Sequence, residues 1–145
     1  MNALPFDGSV LIADKSAWER GRNPLVLGEW SAAILGDQIL TCAPCKLEIL
    51  YSARTSQDFA EWHEALSALR DIPITRTVCE AAVTGMGELA AQSDGYHRVS
   101  IPDYLIAAAA QEAAVGVLHY DHHYDKLREV FHFESRWIAP AGSIP

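Results

Sequence analysis

Ser100-Ile-Pro-Asp-Tyr-Leu-Ile-Ala-Ala-Ala-Ala-Gln-Glu-Ala-Ala-Val-Gly-Val-Leu-His-Tyr-Asp-His-His-Tyr-Asp125 reads as a helix, a two-residue link, a short strand and a cluster of acids and histidines. Ser100 stands where a helix cap is expected, and Pro102 suits the first turn, where a missing N–H costs little. Asp103 falls in that same turn, where the helix dipole favours negative charge. Leu105, Ile106, Ala109 and Ala113 share one face at helical spacing, so the helix packs against another layer. Val115, Val117 and Leu118 make a short apolar strand, with Gly116 its one soft spot. Asp121 follows the C-terminal end of that strand, and in open α/β sheets ligands bind beyond that end.

The rest of the chain alternates in the same way. Ser9 to Ala13 is a short apolar run, expected as a buried strand, with Asp14 at its C-terminal end. A helix starts near Ala17 and Trp18, Arg20 to Pro24 is a turn, and Leu27, Trp30 and Ile34 give a helix face ended by Gly36. Gln38 to Cys42 is a second strand. Pro44 opens a helix with Leu47, Leu50, Tyr51 and Arg54 along one side, and Glu48 lies near its start. Thr55 with Asp58 and Thr77 with Glu80 have capping-box spacing. Phe59, Trp62, Leu66 and Leu69 are expected as the buried face of one of these helices, and Val78, Ala82, Met86 and Leu89 as that of the other. Ile72 to Ile74 is a brief strand between them. Tyr124, Leu127 and Val130 suggest a short helix, and Arg136 to Ile138 a last edge strand. Strands alternating with helices imply an α/β fold with a mostly parallel sheet covered on both faces.

Composition bounds the function. With 145 residues, half of them hydrophobic, the chain is long enough for one domain with a real core. The N-terminus, Met1 to Asp7, has neither a basic region nor an apolar run of signal-peptide length, and no stretch is long enough to span a bilayer. A cytoplasmic protein without membrane contact is expected. Three cysteines do not suggest a disulfide framework. A net charge of −8 argues against a surface that coats nucleic acid, but not against a site that places cations between its own carboxylates and phosphates. If Asp14, Glu48, Asp103 and Asp121 converge, their repulsion requires a cation or raised pKa values. Carboxylate-only donors suit hard ions such as Mg²⁺. Spacing alone does not establish that convergence.

Four segments in this order carry a family resemblance: Leu-Ile-Ala-Asp-Lys-Ser-Ala (11–17), Lys-Leu-Glu-Ile-Leu-Tyr-Ser-Ala-Arg (46–54), Pro-Asp-Tyr-Leu-Ile-Ala-Ala-Ala-Ala (102–110) and Val-Leu-His-Tyr-Asp-His-His-Tyr-Asp (117–125). The close, Trp-Ile-Ala-Pro-Ala-Gly-Ser-Ile (137–144), matches one subgroup. The chain resembles the PIN-domain ribonucleases, specifically the VapC toxins of type II toxin–antitoxin systems, over almost its whole length. The resemblance implies one PIN domain over 1–145, a three-layer α/β/α fold around a central, mostly parallel sheet of four to five strands. It implies that Asp14, Glu48, Asp103 and Asp121 are catalytic and hold Mg²⁺ or Mn²⁺, with Ser16 and Asp125 as weaker candidates. Lys15 stands where the family more often has Thr, and His123 where it often has Asp, which bears on a second metal. The implied activity is endoribonucleolytic cleavage of RNA, with tRNA or rRNA loops the leading substrates, by a metal-activated water. Arg20, Arg22, Arg54 and Arg98 are candidates for phosphate contacts. The implied partners are a VapB-like antitoxin and a second copy of the chain, with the helices around Trp30 and Trp62 as the expected dimer face. No DNA binding by this chain alone is expected.

Three other readings have residues behind them. Cys42-Ala-Pro-Cys45 is a C-x-x-C at a strand-to-helix junction, where a thiol oxidoreductase places its cysteines, although two structural cysteines explain it as well. His119, His122 and His123 could bind a transition metal, but His119 lies on an expected strand and suits a hydrogen-bonded core position. A PIN fold that binds no metal would be a protein-binding module only.

Overall fold

The computed structural model describes residues 4–145, so Met1 to Ala3 of the expected 1–145 domain lie outside the described residues. After a short 3-10 turn, Pro5–Gly8, the order is β1 (Leu11–Ala13), α1 (Lys15–Arg20), α2 (Leu27–Leu35), β2 (Ile39–Cys42), α3 (Ala43–Tyr51), α4 (Ser56–Ser67) and β3 (Arg70–Ile72). Then come α5 (Arg76–Gln92), α6 (Ile101–Ala113), β4 (Gly116–His119), α7 (His123–Leu127) and β5 (Ser135–Trp137). The strands form one five-stranded sheet in the order β3-β2-β1-β4-β5, and every neighbouring pair is parallel.

The strand alternation divides the core in two. Ile12, Leu40 and Val117 point to one face, where they meet Val78, Leu89, Ile106 and Leu127. Leu11, Ala13, Ile39 and Leu118 point to the other, where they meet Ala17, Trp30, Ile138 and Ile144. Period-two side-chain placement thus gives a sheet covered on both sides.

Small residues let α6 lie close to the sheet. Ile106 to Ala110 are fully buried, so this middle stretch of the helix is enclosed all round and not on one stripe only. Ala113, expected on the buried face, is exposed. The expected strand boundaries shift where burial is weak. β3 is Arg70–Ile72, not Ile72–Ile74, because this edge strand exposes Arg70 and Asp71 and carries little apolar signal.

Several local expectations are corrected. Thr75, not Thr77, caps α5 by accepting from the Val78 N–H at 3.2 Å. Thr55 caps α4 as expected, accepting from the Asp58 N–H at 3.0 Å. Ser100 occupies the cap position of α6, yet its side chain makes no capping bond. On α3 the buried residues are Pro44, Cys45 and Ile49, while Leu47 and Tyr51 face solvent, so the helix is rotated from the expected phase. Phe59 is also exposed, leaving Leu66 as the buried anchor of α4.

Gly85 on α5 lies directly against the ring of Phe131. A Cβ there would lie 2.2 Å from Cζ of Phe131. Gly85→Ala is expected to destabilise the protein by roughly 1–2 kcal/mol, because overpacking outweighs the gain of about 1 kcal/mol in helix propensity. Urea unfolding measures this, and an unchanged or higher midpoint would show that Phe131 moves aside freely.

Candidate metal centre

The sheet topology reverses between β1 and β4, which opens a crevice at the C-terminal rim of the strands. Asp14 leaves β1 at that rim, and its N–H donates to the Leu118 carbonyl at 2.9 Å, tying it to β4. It is also the N-cap of α1. Its Oδ2 accepts from the Ser16 N–H at 3.1 Å and from the Ser16 hydroxyl at 2.6 Å. The same hydroxyl oxygen accepts from the Tyr120 N–H at 2.8 Å. Ser16 therefore joins the ends of β1 and β4 and fixes the Asp14 carboxylate.

Asp103 reaches the same rim because α6 descends from it before β4 climbs back. It is buried in the first turn of α6. Glu48 enters from α3, with Oε1 buried and without a hydrogen-bond partner among the described residues. Asp121 follows β4, and its Oδ1 accepts from the His123 N–H at 2.9 Å. His123 Nδ1 lies 3.1 Å from Asp103 Oδ2 and 3.6 Å from Asp121 Oδ2. The four expected acids thus converge in two groups that share Asp103: Asp14, Glu48 and Asp103, and Asp103, Asp121 and His123. In each group the candidate ligand atoms lie within 4.8 Å of one another.

Tyr124 completes the site and was read from sequence only as a helix-face residue. Its fully buried hydroxyl is 2.9 Å from Asp14 Oδ1 and 3.3 Å from Asp103 Oδ1, and it donates toward these carboxylates. Burial and the charge of Asp14 push its pKa well above the usual tyrosine value, so it stays a donor. A tyrosine three residues after a rim acid was the available signal. The pairing itself joins positions far apart in sequence.

Charge is under strain here. Burial first, then the Asp14 charge, raise the Asp103 pKa to about 7, with Asp121 and Glu48 adding to the rise and the His123 contact opposing it. Burial and Asp14 also raise Glu48, while Lys15 lowers it. A divalent cation fits this arrangement: oxygen donors converge, one buried carboxylate oxygen has no hydrogen-bond partner among the described residues, and Lys15 and the His123 contact only partly offset the like charges.

The other candidates lie further out. Asp125 belongs to neither group and faces His122, whose Nδ1 is 3.2 Å from its Oδ2. Arg20 is tied down locally. Its Nη1 donates to the Ser16 carbonyl at 2.9 Å, and its guanidinium lies 4.4 Å from the Tyr120 ring centroid. Arg22 edges a cavity of about 160 Å³ beside Lys15, Trp18 and Trp62, while Arg54 and Arg98 are exposed.

His119 is fully buried between partners. Its Nδ1 accepts from the Asp121 N–H at 3.2 Å, so Nε2 carries the proton toward Ser135 Oγ at 2.6 Å. Burial lowers its pKa to about 4, as expected for a core histidine. Cys42 and Cys45 are free thiols, both fully buried with sulfurs 3.6 Å apart, which supports the structural reading over the redox one. Trp30 is buried under Gly21 and packs edge-on to Trp18, so its ring belongs to the core. The exposed large apolar residues of that helix are Leu27 and Leu35.

The family model of the PIN domain matches residues 6–130. The chain is 37% identical over 136 residues to ribonuclease VapC18 of Mycobacterium tuberculosis, covering 93% of this chain and 99% of that protein. It is 40% identical over 98 residues to ribonuclease VapC51 of the same organism, covering 68% and 70%. The fold matches the DNA-bound VapBC complex of Salmonella typhimurium with a TM-score of 0.72 at 12% identity, over 89% of this chain and 98% of that one. It matches VapBC-5 of M. tuberculosis with a TM-score of 0.62 at 20% identity, over 88% and 97%. This chain belongs to the PIN-domain family.

Proposed function

We propose that this chain is a divalent-metal-dependent endoribonuclease and the toxin of a toxin–antitoxin pair. The observation that carries the reading is the convergence of Asp14, Glu48 and Asp103 from three separate elements, with Glu48 Oε1 buried there and without a hydrogen-bond partner among the described residues. The names of the relatives, ribonucleases VapC, supply the substrate class.

Asp14, Glu48 and Asp103 would hold Mg²⁺ or Mn²⁺, with Asp121 at the second group of donors. A cation there lowers the pKa of a water and neutralises charge on the phosphodiester. The protein contributes rigidity. Ser16 holds Asp14 against the end of β4, and Tyr124 bridges Asp14 to Asp103, so the carboxylates keep their geometry. Asp121 and His123 stand at the open side, where RNA enters. Lys15, Arg22, Arg54 and Arg98 are the cations for the phosphate backbone, whereas Arg20 positions α1. RNA loops of tRNA or rRNA suit a shallow crevice, because single-stranded segments can be splayed against it.

A VapB-like antitoxin and a second copy of the chain are the proposed partners. The toxin–antitoxin assemblies among the fold neighbours and the exposed Leu35, Leu47 and Tyr51 support them.

Asp14→Asn tests the activity. Asparagine keeps the helix cap but removes the charge. Purified, antitoxin-free protein is incubated with total bacterial RNA, with and without Mg²⁺ or Mn²⁺. Discrete products that need the cation and vanish in the folded variant are expected. Undiminished cleavage by Asp14→Asn would sink the reading, and a folded wild-type chain that neither cuts RNA nor binds metal would point to a protein-binding module.

A further inference from the structure

The cavity of about 160 Å³ between α1, α3 and α4 adjoins the metal centre along two elements at once. Lys15 and Ile49 line it, and each directly follows one of the converging acids, Asp14 and Glu48. Lys15 serves both places, since its charge acts on Glu48 while its side chain lines the cavity.

The lining is aromatic and cationic together. Lys15, Trp18, Glu19 and Arg22 fall at helical spacing on α1 and the turn after it, so an indole stands between two cations on one face. Trp18 is held edge-on against Trp30, with ring centroids 6.0 Å apart. Trp62 comes from α4, is partly buried, and lies outside both core clusters of the described residues. A large ring that the core does not use is thus placed on the wall of an open cavity.

Size and chemistry commit the cavity to one occupant. A space of about 150 Å³ takes a molecule the size of benzene, so this one suits a single six-membered ring. Aromatic side chains stack with any nucleobase, and Lys15 and Arg22 offer countercharge to the phosphates on either side of a stacked base. Glu19 adds a carboxylate to the lining. Its pair with Lys15, at 3.5 Å, is exposed and weak, so the carboxylate can turn to a ligand. A carboxylate accepts from the exocyclic amine of cytosine, which uracil lacks.

We propose that this cavity is a nucleobase pocket that seats one unpaired cytosine of the RNA beside the scissile phosphate, against Trp18 and Trp62, with Glu19 selecting cytosine over uracil. The proposal deepens the ribonuclease reading above and rests on it. A base anchored here sets the register of the strand, so that the neighbouring phosphate falls on the carboxylates.

The test reads sequence preference. Random-sequence RNA is cut with Mn²⁺ by wild type, Glu19→Gln, Trp62→Ala and Trp62→Phe, and the product ends are sequenced. KM and kcat are then measured on one preferred RNA. Wild type is expected to favour cytosine over uracil roughly tenfold at one fixed position beside the cut. Glu19→Gln is expected to lose that preference, because an amide both accepts and donates and so serves either pyrimidine. Trp62→Ala is expected to raise KM about tenfold, more than it lowers kcat, and Trp62→Phe to keep most of the affinity. If Trp62→Ala fails to fold, Glu19→Gln, an exposed change, carries the test through the base preference alone. Metal-dependent cleavage with no base preference beside the cut, or with a purine there, overturns the proposal and leaves the ribonuclease standing. A cytosine preference that survives in Glu19→Gln overturns it as well. Unaltered KM in a folded Trp62→Ala overturns it and leaves the cavity to a protein partner. A wild-type chain that cuts no RNA overturns the ribonuclease reading and the pocket with it.

Discussion

Asp103→Asn is expected to abolish RNA cleavage and, in chelator, to raise the melting temperature. The two effects have one cause. Asp103 is buried beside other carboxylates, and its pKa is raised from 3.8 to about 7, mainly by burial and then by Asp14. The folded metal-free protein therefore holds a proton there that the unfolded chain releases, so Asp103 makes stability fall as pH rises from about 4 to about 7. Asparagine has nearly the same shape and no charge to bury. His119 acts in the opposite sense: its pKa is lowered from 6.5 to about 4 by burial, so its share of stability is lost as pH falls through that window. Because His119 is common to both proteins, the melting-temperature advantage of the variant should start near zero at pH 4, grow to pH 7 and then level off. Saturating Mn²⁺ should reverse the order, since only the wild type keeps both groups of ligands. The cleavage rate should fall by more than about 100-fold, because even outer partners of a metal ligand are worth roughly 10–100-fold. Thermal melts across pH and RNA cleavage assays check both halves. A pH-independent difference would mean that Asp103 is ionised in the metal-free fold, and retained cleavage would remove it from the active site.

Tyr124→Phe deletes one oxygen and keeps the ring, which stacks 4.7 Å from His119. The lost hydroxyl is the donor to Asp14 Oδ1 and the bridge toward Asp103 Oδ1. Leaving buried carboxylate oxygen without that donor should cost about 1–3 kcal/mol in chelator. Releasing two ligands from a shared anchor should weaken divalent-ion affinity roughly 10–100-fold, with a parallel loss of cleavage at limiting metal. Calorimetric titration with Mn²⁺ and urea unfolding measure the two quantities separately. Unaltered affinity would show that Ser16 and the backbone alone hold the carboxylates in place.

The helix–strand succession around Asp103 and Asp121 was legible because its signals are local. A proline in the first turn, an unbroken run of small apolar residues and a short apolar strand define it without tertiary context. The convergence of Asp14, Glu48, Asp103 and Asp121 was not legible from spacing, since it depends on the direction of α6 and on the sheet order β3-β2-β1-β4-β5. The family resemblance, not periodicity, brought the four together. The phase of α3 was misread because its buried face uses Pro44, Cys45 and Ile49, while larger apolar residues, Leu47 and Tyr51, are turned outward. Tyr124 lends its hydroxyl to Asp14 and Asp103, and the Tyr120 amide reaches the Ser16 hydroxyl, across separations that only the fold closes, so composition gave no hint of those contacts. β3 was misplaced by two residues because an exposed edge strand has almost no hydrophobic pattern to read.

The enclosed stretch of α6 also sets how long the site survives between unfolding events. Ile106 to Ala110 have no exposed surface, so their amides can meet solvent only when the sheet and α5 separate from them. Their deuterium exchange should therefore require global opening, whereas Arg70 and Asp71 on the exposed edge should exchange through local fraying. Asp103 sits one turn from this enclosed segment. The scaffold beneath the carboxylates then persists while the rim of the sheet breathes, and the spacing of the acids is retained in partly opened states.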